Sequence, residues 1–201
     1  VNNAWTNNGT FTNTGSTVIF SGTSSSVNGS ATQPFYNLTV ENLKSFSFGA
    51  GVTTLRIAGQ FVNDGTFNYG TSIVEFNGSN STIGACLVAP SFYDVTVSSK
   101  LTMDAGDTIT VLNQFKVNNG ANFFMINSCT MNVKNVVIEG AFNANGSVPT
   151  VQDTGSKLSF IVQNGGSLNI SDLNLMNPDN EGLKIVNTAS LTQSIGGINF
   201  T

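Results

Sequence analysis

The chain has 201 residues, enough for one sizeable domain. Lys plus Arg number 7 and Asp plus Glu 11, a net charge of -4 with no His, and only 9% of residues are charged, against about 25% in an ordinary domain. This argues against a nucleic-acid or anionic-membrane partner, which would need a basic stripe; no apolar run nears the roughly 20 residues of a membrane helix, and 39% hydrophobic residues with 15 Phe are too apolar for disorder.

In chain order the apolar segments are short, rich in β-branched residues and often alternating: "TVIF" (17–20), "NLTV" (37–40), "TLRI" (54–57), "IVEF" (73–76), "DVTV" (94–97), "TITV" (108–111), "VVIE" (136–139), "FIV" (160–162), "LNI" (168–170), "LNL" (173–175) and "LKIV" (183–186). Asn-Gly, Asp-Gly, Gly-Gly and Asn-Pro-Asp turns separate them. No segment carries a sustained helical period, so low helix content is expected. The surface is built from Asn, Thr, Ser and 21 Gly instead of charge.

The segments also repeat. "WTNNGTFTNTGSTVIFSG" (5–22) returns as "FVNDGTFNYGTSIVEFNG" (61–78), aligning Trp5 with Phe61, Phe11 with Phe67 and Phe20 with Phe76 at one constant spacing. "FYNLTV" (35–40) returns as "FYDVTV" (92–97) at nearly the same spacing. A third copy starts at "FKVNNGANF" (115–123) and a fourth at "FNANG" (142–146). The step from Phe115 to Phe142 is about half the step from Trp5 to Phe61. The long unit therefore reads as two coils, with three shorter ones as the alternative. The units run about 5–60, 61–114 and 115–141 in a single domain, 1–201, with tighter coils over 142–201.

A sandwich closes on itself and has no reason to repeat, whereas a solenoid stacks equivalent coils. The expected fold is therefore all-β: a right-handed parallel β-helix, the hand following from strand twist and crossover preference. At roughly 22 residues per coil there are about nine coils, a rod on the order of 40 Å long. Phe is expected over Phe, and Asn over Asn bonding along the stack. Cys86 and Cys129 then sit nearly two coils apart. That puts their Cα atoms about 10 Å apart, beyond the roughly 4.4–6.8 Å of a disulfide, so free thiols are expected.

The pattern W/F-x-N-x-G-x-F, V-x-F-x-G and F-Y-N-L-T-V resembles repeats of very large bacterial surface and secreted proteins. The closing "GLKIVNTASLTQSIGGINFT" resembles coils of adhesin and autotransporter-passenger β-helices. The resemblance covers most of the chain and implies an extracellular, cell-surface bacterial location and an adhesive, stalk-like or fibre-forming role. It carries no active site.

Nor do the residues supply one. The acidic residues are scattered through turns, Arg56 is the sole Arg, and His is absent, so no enzyme, cofactor or metal is expected. A polysaccharide-cleaving β-helix, which needs clustered carboxylates, is a distant alternative. The acidic loops "DAGD" (Asp104, Asp107) and "NPDNEG" (Asp179, Glu181) contain oxygen ligands of the kind calcium takes, but read better as solvated turns. Trp5, Tyr36, Tyr69 and Tyr93 would suit a sugar-stacking platform, though Tyr36 and Tyr93 share a repeat position and fit a core or corner site better.

The ends carry the functional expectation. Trp5 is already in repeat register, and Ile195, Ile198 and Phe200 still carry the apolar pattern. Without a capping helix or charged terminal segment, Val1, Trp5, Phe11, Ile195, Ile198 and Phe200 form the expected assembly interface. The partner would be the chain itself, end to end or by strand donation, or neighbouring repeats of a longer chain. Surface glycans are a further candidate, as for an adhesin or carbohydrate-binding stalk module.

Overall fold

The computed structural model describes residues 1–155, 157–186, 189–191 and 198–200. The chain winds as a parallel β-solenoid of about nine turns, with no helix among the described residues. The first turns contain β1 (Ala4–Asn7) and β2 (Thr17–Phe20), then β3 (Ser25–Gly29), β4 (Thr32–Phe35) and β5 (Asn37–Val40). Next come β6 (Ser45–Phe48), β7 (Thr54–Ile57) and β8 (Gln60–Asn63), then β9 (Thr66–Asn68), β10 (Ile73–Phe76) and β11 (Ser81–Ile83). The middle turns each hold one long bent strand and one short one: β12 (Ser91–Val97) with β13 (Lys100–Met103), β14 (Thr108–Val117) with β15 (Asn122–Ile126), and β16 (Thr130–Ile138) with β17 (Ala141–Asn145). The last contain β18 (Thr150–Gln152), β19 (Leu158–Val162), β20 (Ser167–Ile170), β21 (Leu173–Met176), β22 (Pro178–Ile185), β23 (Ser190–Leu191) and β24 (Ile198–Phe200).

These strands stack as three sheets. Face A has the order β1-β3-β6-β9, and face B runs β2-β5-β8-β11-β13-β15-β17-β20-β23. Face C starts at β4 and reaches β24, with β19 and β22 beside its main path. From β12 onward the long strands cover two faces, with a register shift at the bend: between Phe92 and Asp94, and between Val111 and Gln114. The turns are unequal. The one from Asn122 to its partner Ala141 is short, and the next, from Ala141 to its partner Ser167, is longer. They fall on either side of the expected coil length.

Alternation decides which side chains fill the interior. On face B, Val18, Leu38, Phe61, Ile83, Met103, Met125, Ala144 and Ile170 lie one above another, all buried. On face C, Leu55, Val74, Val95, Phe115, Val136 and Phe160 do the same. Phenyl rings meet across and along the stack: Phe115–Phe123 at 4.6 Å, Phe123–Phe142 at 5.4 Å and Phe142–Phe160 at 5.3 Å. Each such ring removed from water contributes about 1.5–3 kcal/mol. Polar side chains form ladders on the outside, as in Asn169 Nδ2 to Asn143 Oδ1 at 3.2 Å and Asn199 Nδ2 to Asn174 Oδ1 at 3.2 Å. At the bend of the long strands, Asn113 Nδ2 donates to Asp94 Oδ1 at 2.7 Å and Asn135 Nδ2 donates to the Asn113 carbonyl at 2.9 Å.

One expectation is corrected. The repeat copies do not lie over each other. Trp5 sits on face A, over Val27, whereas its match Phe61 is in β8 on face B. Phe20 is on face B and Phe76 on face C. Phe35 is on face C, and Phe92 lies before the bend of β12, in the slot that face A occupies in earlier turns. The step from Trp5 to Phe61 therefore advances eight faces, or two and two-thirds turns, rather than the two or three whole coils expected. The physical reason is that strand-turn-strand geometry is similar at all three corners. A local motif can recur at any face, while vertical stacking requires only apolar side chains of compatible size.

Candidate functional site

At the first rung, the Val1 ammonium donates to the Ile19 carbonyl at 2.6 Å, and the Val1 carbonyl accepts from Ser21 N–H at 2.9 Å. Val1 is half-buried against the core, as are Trp5 and Phe11. The Trp5 ring meets Phe11 edge-on, with centroids 4.9 Å apart at 74°. Both rings lean on buried Phe35, at 5.8 Å and 6.5 Å. Phe11 belongs to no strand; it comes from the segment between β1 and β2. The structure thus gathers Trp5 and Phe11 into one aromatic group and adds Phe35, whose place in the interior of a repeat hides it in the sequence.

Beneath this group lies Gln33, fully buried in an otherwise apolar column that continues through Leu55. Its Nε2 donates to the carbonyls of Asn7 and Ser30, both at 2.9 Å, and its Oε1 has no partner among the described residues. In sequence it looks like any Gln before a Pro. Only the inward direction of its position on β4 marks it.

At the opposite end β24 pairs with β21, so Ile198 follows Leu173 and Phe200 follows Leu175. Phe200 ends the inward column Ile109, Met131, Val151, Leu175 and is 54% exposed. Ile198 is partly buried against the core. Ile195 lies outside the described residues. The six expected interface residues therefore divide into a first-rung group and a last-rung pair at opposite ends of the sheet order, with Ile195 not placed.

The thiols are both free. Cys129 is fully buried, and its Sγ–H faces the carbonyls of Ile126 at 2.7 Å and Asp104 at 3.0 Å. Cys86 accepts the Asn63 N–H at 3.2 Å. Burial pushes the Cys86 thiol up to about 11, with Asp107, Asp64 and Asp104 adding to the rise and the Asn63 N–H opposing it. Burial likewise raises Cys129, against the opposing hydrogen bond with the Ile126 backbone.

The Asp104–Asp107 loop is a turn, as expected, but the "NPDNEG" run is not: after a bend at Asn177, Asp179 and Glu181 lie within β22, where parallel pairing with β19 extends the backbone. Asp107 N–H donates to the Asp104 carbonyl at 3.1 Å, and Glu181 N–H donates to Asp179 Oδ1 at 3.0 Å. Partial burial, then the Asp104 charge, raises the Asp107 carboxyl above its ordinary value, opposed by a hydrogen bond from the Ala85 backbone. Among the described residues no group of three His, Cys, Asp or Glu side chains is placed to hold a metal ion.

Sequence reasoning also missed a break in face A. Its ladder stops at β9, and the nearest later strand in that slot, the start of β12, bonds onward to β14 instead. The run "GACLVAP" (84–90) fills the interval without strand structure. The signal was present in that run: no apolar-polar alternation, and a Pro that cannot donate to a ladder. A cleft of about 270 Å³ opens there, lined by residues 63, 65–69, 88, 89 and 91.

The fold and these surfaces define the chain as a parallel β-solenoid. No family model, curated protein or solved structure matches it.

Proposed function

We propose that the chain is a non-enzymatic structural β-solenoid, a subunit of a bacterial extracellular fibre or surface layer that joins copies of itself end to end. The observation that supports this reading is the form of the two outermost rungs. β1, β2 and β4 each stand first in their sheets, and β24 stands last on face C. Their outer edges have no strand partner among the described residues, though that of β2 is bonded in part by Val1, at the Ile19 carbonyl. The apolar side chains there are half-buried or exposed: Trp5 and Phe11 at one end, Phe200 at the other. A further parallel rung continues the sheets, pairs these backbone groups and covers these rings, which is the heterologous contact that builds a filament. The likeness of its repeats to those of adhesin and autotransporter-passenger coils agrees with the extracellular setting.

A second reading has the same support, because the edges equally accept further rungs of a longer polypeptide. The chain is then a stalk module of a larger surface protein, an adhesin. Electron microscopy of the protein as its cell makes it separates the two. Filaments with an axial repeat of one rod length support self-assembly. Single solenoids longer than the rod, with no repeat boundary, support the stalk module. A protein that stays a folded rod of this length at every concentration overturns both.

A further inference from the structure

The cleft at the break in face A is a small built cavity on the side of the rod. Inside, the phenyl stack continues across the break: Phe46 and Phe67 lie parallel at 5.2 Å, and Phe67 reaches Phe92 at 5.6 Å. Outside, the backbones part, and the outer edge of β9 has no strand partner among the described residues. Hydrogen bonds between the two rungs hold the opening. Val88 N–H donates to the Asn63 carbonyl at 3.1 Å, Leu87 N–H to Asp64 Oδ1 at 3.0 Å, and Asn63 Nδ2 to the Val88 carbonyl at 3.0 Å. The shape is therefore set before anything binds.

The lining limits what the cleft takes. It has no carboxylate, ammonium or guanidinium group, so it offers nothing to offset the desolvation of a phosphate, a carboxylate or a cation. It presents neutral hydrogen-bonding side chains, Asn63, Thr66, Asn68 and Ser91, beside the rings of Phe67 and Tyr69. Asn63 is only 1% exposed, and among the described residues its Oδ1 has no hydrogen-bond donor, an unsatisfied group of the kind native folds seldom leave. At about 270 Å³ the cleft is below the roughly 300–1,000 Å³ of pockets for drug-sized molecules. It accommodates one ring rather than a nucleotide or an extended peptide. A ring with an apolar face for the aromatic wall and neutral hydroxyls for the amides and alcohols meets all these conditions.

We propose that this cleft binds a single neutral sugar residue, with the pyranose face against Tyr69 and its hydroxyls directed to Asn63, Thr66, Asn68 and Ser91. The site lies on the flank of the fourth and fifth turns, away from both outer rungs, and stands independently of end-to-end assembly. Of the four aromatic residues that the sequence suggested for a sugar platform, only Tyr69 lines the cleft.

The test uses glucose, galactose, mannose and N-acetylglucosamine, each titrated by calorimetry. Hydrogen exchange read by mass spectrometry locates the effect in monomer or filament alike. Expected is saturable binding of at least one sugar at millimolar affinity, with slowed exchange confined to residues 63–69 and 87–92. Ala89→Trp, a substitution of an exposed residue that fills the cleft, should weaken binding at least tenfold, and Thr66→Val several-fold, with unchanged thermal midpoints. Inorganic phosphate should give no protection there. Absence of binding by all four sugars, protection elsewhere, equal protection by phosphate, or full binding by Ala89→Trp would each overturn the proposal.

Discussion

Cys86 and Cys129 show how position in the coil sets the chemistry of a side chain. Both thiols are raised chiefly by burial, so the folded state favours the neutral form. An unfolded chain loses these protons near 9.0, while folded Cys86 keeps its proton to about 11. The contribution of Cys86 to stability is therefore constant through neutral pH and is lost as pH rises from 9.0 toward about 11, by at most about tenfold in the folding equilibrium per pH unit, and that of Cys129 is likewise lost as pH rises above 9.0. Urea midpoints at pH 8 and 10.5 for the chain and for Cys86→Ser/Cys129→Ser will check this; the double variant should lose less stability on going to the higher pH. At pH 8 a thiol reagent should label Cys86 before fully buried Cys129, and both more slowly than in urea. A surface residue behaves differently. Arg56 Nε meets Glu75 Oε2 at 2.6 Å, with the Arg side chain 48% exposed, so Arg56→Ala should change the unfolding free energy by no more than about 1 kcal/mol.

At the scale of the element, a strand is worth what it stacks upon. Phe142 in β17 touches Phe123 on one side and Phe160 on the other, and is fully buried. Phe142→Ala removes contacts to two rungs and leaves a cavity, at a cost of about 3–5 kcal/mol, measurable by urea denaturation. Corners are as demanding as strands. A Cβ at Gly78 would run into the backbone carbonyl of Ala58 in the turn below. Gly78→Ala should therefore destabilise the fold, whereas Gly70→Asn, at an open positive-φ corner, should cost much less. Thermal midpoints of the two variants test the contrast. The strands and corner glycines were legible in the sequence because alternation and turn chemistry are local. The run before Pro90, without alternation, signals an interruption after β9, but which face it opens depends on which backbones meet one turn apart.

At the scale of the whole molecule, the outer rungs decide association. Trp5 is the one Trp in the chain, and it sits half-buried on the first rung beside Phe11. If copies stack there, its emission should move to shorter wavelength as concentration rises. Phe200→Asp, which puts a charge on the last rung, should weaken assembly by tenfold or more while leaving dilute protein folded. Light scattering beside the fluorescence titration reads both effects. An emission maximum unchanged across a confirmed assembly would place the contact elsewhere.

The sequence by itself determined the solenoid. Short alternating segments, glycine turns and recurring Phe leave few other ways to bury so many small strands. It could also separate the thiols, since distance along a regular rod follows from residue count. What only the tertiary structure decided is which residues face one another: that repeat copies are offset by one face, that Gln33 points inward, that Phe35 joins Trp5 and Phe11, and that face A opens into a cleft. The reason is physical. Local patterning specifies strand and turn almost residue by residue, but the meeting of turns depends on the summed length of every corner between them. Those lengths differ even between neighbouring turns, as Asn122 to Ala141 and Ala141 to Ser167 show.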